Sequence, residues 1–197
     1  MIYAGSPSQK LSALAAMIQK RLNVGYRCMY LNSAPMVAGM RSTLAALGVD
    51  VALEASASRL ILSCEPVTSG GDFDIEAMLN KLEDSLNQAL NDGYKGLWAS
   101  GDMTWEFGPK KDFSRLLEYE FRLEELFRKR KELWGVCQYH KDTLPQDVMR
   151  KSLLIHPGVF ISDTLTRINP HYLKSLWPAD QKTTHKLDQM VATLCDM

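Results

Sequence analysis

The sequence predicts an α/β fold in three layers, a mostly parallel sheet flanked by helices. Three observations predict it. Short apolar runs alternate repeatedly with amphipathic segments at helical spacing, the pattern of parallel strands joined by right-handed helical crossovers. Residues 59–65 (RLILSCE) carry a continuous rather than alternating apolar core, as a strand covered on both faces requires. Residues 96–139 read strand, polar turn, charged helix, strand. A buried strand running into Gly101-Asp102 is how an open sheet delivers a loop to the carboxyl edge where ligands bind.

Taken in order, residues 1–4 (MIYA) form a short strand that turns at Gly5. Leu11, Leu14, Ala15, Ile18 and Leu22 then follow at helical spacing. Ser8 competes as N-cap with Ser6, which has Pro7 at the first helical position. Residues 27–32 (RCMYLN) read as a second strand and 35–47 as a helix closed by Gly48. Residues 49–58 read either as a short strand, VALEA, or as an irregular connection, and 66–71 as a loop. Asp72 or Asp74 caps a long helix whose apolar positions run Ile75, Met78, Leu79, Leu82, Leu86, Leu90. Residues 133–139 give a further strand, 145–155 an amphipathic helix broken by His156-Pro157-Gly158, and 159–162 (VFIS) a last strand. Residues 1–165 therefore form one domain. Residues 166–197 form a helical tail whose stripe of Leu187, Met190, Val191 and Leu194 docks on the domain or assembles copies of the chain.

The 197 residues suffice for a substantial core, and 46% hydrophobic with 23% charged is the composition of a globular chain. Zero formal net charge gives no pull toward nucleic acid or an anionic membrane. The one basic run, 128–131 (RKRK), ends a helix, where cations complement the dipole. No apolar run is long enough to span a bilayer and no signal peptide is evident, so the expectation is a cytoplasmic protein. Cys28, Cys64, Cys137 and Cys195 are too widely spaced for a zinc motif, and the first three read as buried, inert thiols in strands. His140 and His156 are too isolated to make a metal set, so neither metal nor cofactor is expected.

The helix after the central turn carries an oddity. Phe113, Leu116, Leu117, Leu123 and Phe127 share one face, and Glu120 falls in its middle. A carboxylate in an apolar stripe must find a partner or take up a proton. An ion pair or a cap on a loop N–H is the plainer reading, and direct ligand contact the sharper. Either ties Glu120 to a neighbouring loop. Aromatic residues Trp98, Phe107, Trp105 and Tyr139 lie near the same edge; Trp98 reads as core, whereas Trp105 lies past its strand.

The first strand, turn and helix invite comparison with a phosphate-binding loop. In Gly5-Ser-Pro-Ser-Gln-Lys10-Leu11-Ser12, Lys10 stands where the second glycine belongs and Leu11 where the lysine belongs, so the motif is absent in the sense that matters chemically. Asp102 and Glu65, each at a strand end, could hold magnesium if their strands were neighbours. No Gly-x-Ser-x-Gly or other triad signature occurs.

The series Gly96-Leu97, Gly101-Asp102-Met103-Thr104-Trp105, Leu117-x-Tyr119-Glu120, Cys137-Gln138-Tyr139 and His156-Pro157 resembles the MEDS family, the methanogen/methylotroph sensory domain. The resemblance implies a RecA-like (P-loop NTPase-like) scaffold without its phosphate loop. It implies a non-catalytic sensory domain for small, hydrocarbon-derived molecules, joined in relatives to histidine kinases or DNA-binding domains. The ligand-binding residues it implies are Gly101, Asp102, Thr104, Trp105, Glu120, Gln138, Tyr139 and His156. The family's early histidine has no counterpart in MIYAGSPS, so its role does not transfer. Output is expected to pass through a partner, a histidine kinase or transcription regulator, without direct contact to nucleic acid. The competing expectation is a residual nucleotide-binding or hydrolysing protein using Asp102 and Glu65 with magnesium.

Overall fold

A computed structural model describes residues 1–107, 110, 112–160, 166–168, 172, 188 and 192. The elements are β1 (Ile2–Tyr3), a 3-10 turn (Pro7–Lys10), α1 (Leu11–Asn23), β2 (Arg27–Leu31), α2 (Ala34–Ala46), α3 (Val51–Ser56), β3 (Leu60–Ser63), β4 (Thr68–Ser69) and β5 (Asp72–Phe73). They continue with α4 (Ile75–Asn91), β6 (Leu97–Asp102), α5 (Met103–Glu106), α6 (Leu116–Lys129), β7 (Leu133–His140), α7 (Gln146–Ile155), β8 (Gly158–Phe160) and β9 (Thr166–Ile168). Five strands form a parallel sheet in the order β1-β7-β6-β2-β3. Helices cover both faces, which gives the expected three-layer α/β architecture.

Alternate strand residues point to opposite faces, and the core is accordingly double. On one face Leu14, Ile18, Met40, Leu44, Cys28, Tyr30 and Trp98 pack the sheet against α1 and α2. On the other, Met29, Leu31, Leu97, Ala99, Cys137 and Tyr139 meet Leu82 and Leu86 of α4, Leu123 of α6 and Leu153 of α7. The stripe expected on α4 is buried at Ile75, Met78, Leu79, Leu82 and Leu86. Asp74, not Asp72, is its cap, accepting from the Ala77 amide at 2.9 Å.

Several local expectations are corrected. Residues 49–58 hold a helix rather than a strand, because the Asp50 side chain accepts from the Leu53 amide and starts a turn that propensity alone does not signal. Ser6 precedes a 3-10 turn with Pro7 at its start, and α1 begins only at Leu11. The loop after β3 contains the β4–β5 hairpin, and the polar turn after β6 contains α5. Cys64 lies past β3 and is exposed, unlike buried Cys28 and Cys137. Thr166–Ile168, at the start of the expected tail, pair antiparallel with β8. The expected strand 159–162 extends past the described residues, as do Cys195, Pro170, Pro178 and the stripe at Leu187, Met190, Val191 and Leu194. Two described tail side chains reach the domain: the Tyr172 hydroxyl donates to Glu124 at 3.2 Å and Asp188 accepts from Arg150 at 2.7 Å. Among the described residues, no helix is long and apolar enough to cross a membrane.

Candidate functional site

The chain leaves β2 toward the α2 face and β6 toward the α6 face, so strand order reverses between them. Their carboxyl ends, paired at Leu31 and Gly101, form the switch point where open sheets bind ligands. A cavity of about 20 Å³ lies there, lined among others by Leu31, Met78, Gly101, Met103, Glu106, Tyr119 and Cys137. It has room for roughly one water-sized group.

Glu106 gives this cavity its chemistry. It ends α5, which starts where the Asp102 carboxylate accepts from the Trp105 amide at 3.0 Å. One turn of helix thus carries the Glu106 side chain back beneath the strand, where the residue is 2% exposed. A Cβ at position 101 would overlap Glu106 Oε1, so glycine at that point is what admits the carboxyl. Oε2 has no hydrogen-bond partner among the described residues. Burial holds the Glu106 acid well above the ordinary carboxylate range, with the charges of Glu120 and Asp102 adding to the shift. Burial thus favours the protonated form of Glu106, which can both donate one O–H and accept.

Behind it sits a second cluster. The Tyr139 hydroxyl donates to Glu120 Oε1. Oε2 faces Cys137 Sγ at 3.9 Å and His156 Nε2 at 3.5 Å. His156 donates from Nδ1 to the Ser152 carbonyl at 2.7 Å, since a carbonyl only accepts, and its ring stands edge-on to Tyr139 at 5.6 Å between centroids. Burial pushes the Glu120 carboxyl up to about 8, opposed by the charge of the Met1 amino group, which donates to the Cys137 carbonyl. Burial also raises the Cys137 thiol, and it keeps the His156 imidazole neutral. One ligand atom from each of Glu120, Cys137 and His156 can be chosen so that all three lie within 4.8 Å of one another. A second cavity of about 20 Å³ adjoins this cluster, lined by Met1, Ile2, Tyr139, Ser152, Leu153, His156 and Gly158.

A family model described as the methanogen/methylotroph, DcmR sensory domain, MEDS, matches residues 1–157. The chain belongs to the MEDS family. That match ends one residue past His156, so both clusters lie inside the MEDS domain. No curated protein is similar enough in sequence to count as a relative.

The MEDS sheet divides the residues that the sequence groups into one site. Glu120, Tyr139 and His156 come together on the α6 face, Gly101 lines the cavity, and Trp105 packs against the same core. Asp102 and Gln138, paired across β6 and β7, point to the opposite face. There Asp102 accepts from Tyr3 at 3.1 Å, and Gln138 donates to the Ser100 hydroxyl at 3.1 Å. Burial raises the Asp102 carboxyl. Thr104 pairs with Thr143 at 3.2 Å at an exposed position. Among the described residues the partners of Glu120 are a phenol, a thiol and an imidazole, and the last is the expected ion pair only where His156 is protonated. His156, expected to be isolated, is one of them. Glu65 is exposed beyond β3, and β2 separates that strand from Asp102 on β6, so the strands that were to supply a paired magnesium site are not neighbours. Sequence reading missed Glu106, Tyr119 and Cys137. For Cys137 a signal existed: it lies two residues before Tyr139 on one strand, hence on the same face.

Proposed function

We propose that this MEDS domain senses a one-carbon compound bearing a hydrogen-bonding group, and relays its presence without catalysis to a signalling or transcription-regulating partner. The observation that carries this reading is the cavity at the β2/β6 switch point, lined by the Glu106 acid, one of whose oxygens has no partner among the described residues. Mostly apolar walls with a few polar groups, the Glu106 carboxyl and the Tyr119 phenol beside it among them, select a small, weakly polar guest over an ion. The family description, with its methanogens and methylotrophs, favours one-carbon compounds in particular. Relay follows from the walls themselves. Met103 belongs to α5 and Tyr119 to α6, beside Glu120, so a guest in the cavity favours one packing of α5 on α6 and shifts the population presented to a partner.

Isothermal titration of the full chain with methanol and formaldehyde tests this. Saturable binding by at least one of them, abolished in Glu106→Leu, is expected. No binding by either, or binding unchanged in Glu106→Leu, contradicts it.

A further inference from the structure

We propose that Glu120, Cys137 and His156 form a three-ligand site for one divalent transition-metal ion of the zinc class. A tetrahedral zinc ion holds N, O and S ligands whose mutual separations are about 3.3–3.6 Å, from bond lengths near 2.0–2.3 Å. Glu120 Oε2 stands 3.5 Å from His156 Nε2 and 3.9 Å from Cys137 Sγ, so these two edges lie within a few tenths of an ångström of that frame, and the third, between thiol and imidazole, is within 4.8 Å and closes onto the ion on binding. The outer groups are arranged as a metal site requires. His156 donates its Nδ1 hydrogen to the Ser152 carbonyl, as when a backbone carbonyl fixes a ligating histidine, and its Nε2 stands on the Glu120 side of the ring. Tyr139 occupies Glu120 Oε1, so Oε2 is the oxygen turned inward.

The charge balance suits a divalent ion. One carboxylate, one thiolate and one neutral imidazole carry two negative charges, and the Cys137 thiol proton, together with the proton that burial favours on Glu120, leaves to solvent on binding. Mixed nitrogen, oxygen and sulfur donors select zinc or cobalt over calcium and magnesium, which prefer oxygen throughout. Three protein ligands leave a fourth position, and the cavity lined by Tyr139, Ser152 and His156 offers room for a water molecule there. The site is independent of the sensing reading, since metal binding is measured with no small ligand present.

The test uses the full chain, stripped with a chelator and titrated with cobalt(II) and then zinc. The expected results are one ion per chain and a cobalt–thiolate charge-transfer band in the near ultraviolet that zinc abolishes. Cys137→Ser loses the band, whereas Cys64→Ser, at an exposed cysteine, keeps it. Tyr139→Phe, which removes only the outer hydroxyl, weakens zinc about 10-fold. Absence of the band in the unmutated chain overturns the proposal whether or not any variant folds. So does a band that survives Cys137→Ser, or zinc affinity unchanged in both Tyr139→Phe and His156→Gln.

Discussion

The two faces of the sheet use the same strands to opposite ends. Beneath α1 and α2, Leu14, Ile18, Met40, Leu44 and Trp98 form an apolar core, and the buried acid, amide and imidazole at that face's carboxyl edge are matched: Tyr3 with Asp102, Gln138 with Ser100, His140 with the Gly5 carbonyl at 2.8 Å. Beneath α5, α6 and α7 the same sheet carries two buried glutamates, a thiol, an imidazole and two cavities. Burying a polar group without a partner costs free energy, so the second face is less stable than an apolar packing of the same shape would make it. The difference teaches where function lies. One face holds the fold together, and the other keeps the groups that folding alone would not select.

Substitutions on the two faces break or sharpen this contrast. The largest effect on stability is expected on the first face: Leu44→Ala, at a side chain with no exposure, loses about 2–5 kcal/mol by denaturant unfolding and leaves small-ligand affinity unchanged. Gly101→Ala is next. The added methyl overlaps Glu106, so stability falls by about 1–3 kcal/mol and binding in titration calorimetry is lost; Gly101→Ala combined with Glu106→Ala recovers stability but not binding.

The third effect is read in pH. Because the Glu106 carboxyl is raised by burial from its ordinary 4.5, its contribution to stability is fully present below that value and is lost as pH rises from there through the raised value. Glu106→Gln keeps the shape without the charge. Its denaturation midpoint should match the unmutated chain at about pH 4 and exceed it increasingly toward about pH 8, when both are measured free of metal. A constant gap would mean that the acid is ionised in the folded chain. The smallest effect is at Thr104, whose hydroxyl meets Thr143 at an exposed contact: Thr104→Ala changes stability by less than about 0.5 kcal/mol and leaves ligand affinity unchanged.

Much of the fold was legible because period reports burial. The helical stripe from Ile75 to Leu86 marks a helix that packs on the sheet, whereas the unbroken apolar core of 59–65 marks β3 but not its burial, since β3 is the edge strand and Leu60 is its one buried residue. Glu120 was legible as an anomaly, since a carboxylate amid Leu116 and Leu123 is visible without coordinates. The composition of the site was less so, because strand order is a long-range property. Gln138 and Tyr139 are neighbours in sequence, and consecutive strand residues necessarily face opposite ways; grouping them in one site ignored a constraint the sequence itself carries. Glu106 was hidden for another reason. Only the short helix capped by Asp102 turns it under the strand, and four residues of helix leave too little periodicity to read.

Methyl resonances of methionine compare the two faces in a single measurement, since Met78 and Met103 line the switch-point cavity whereas Met40 lies in the core under α1 and α2. With methyl-labelled methionine in the full chain, titration with the one-carbon panel should move the Met78 and Met103 signals saturably and leave Met40 in place. Saturable movement of Met40 with Met78 and Met103 still, or no saturable movement at any of the three, would contradict the assignment of sensing to the α6 face.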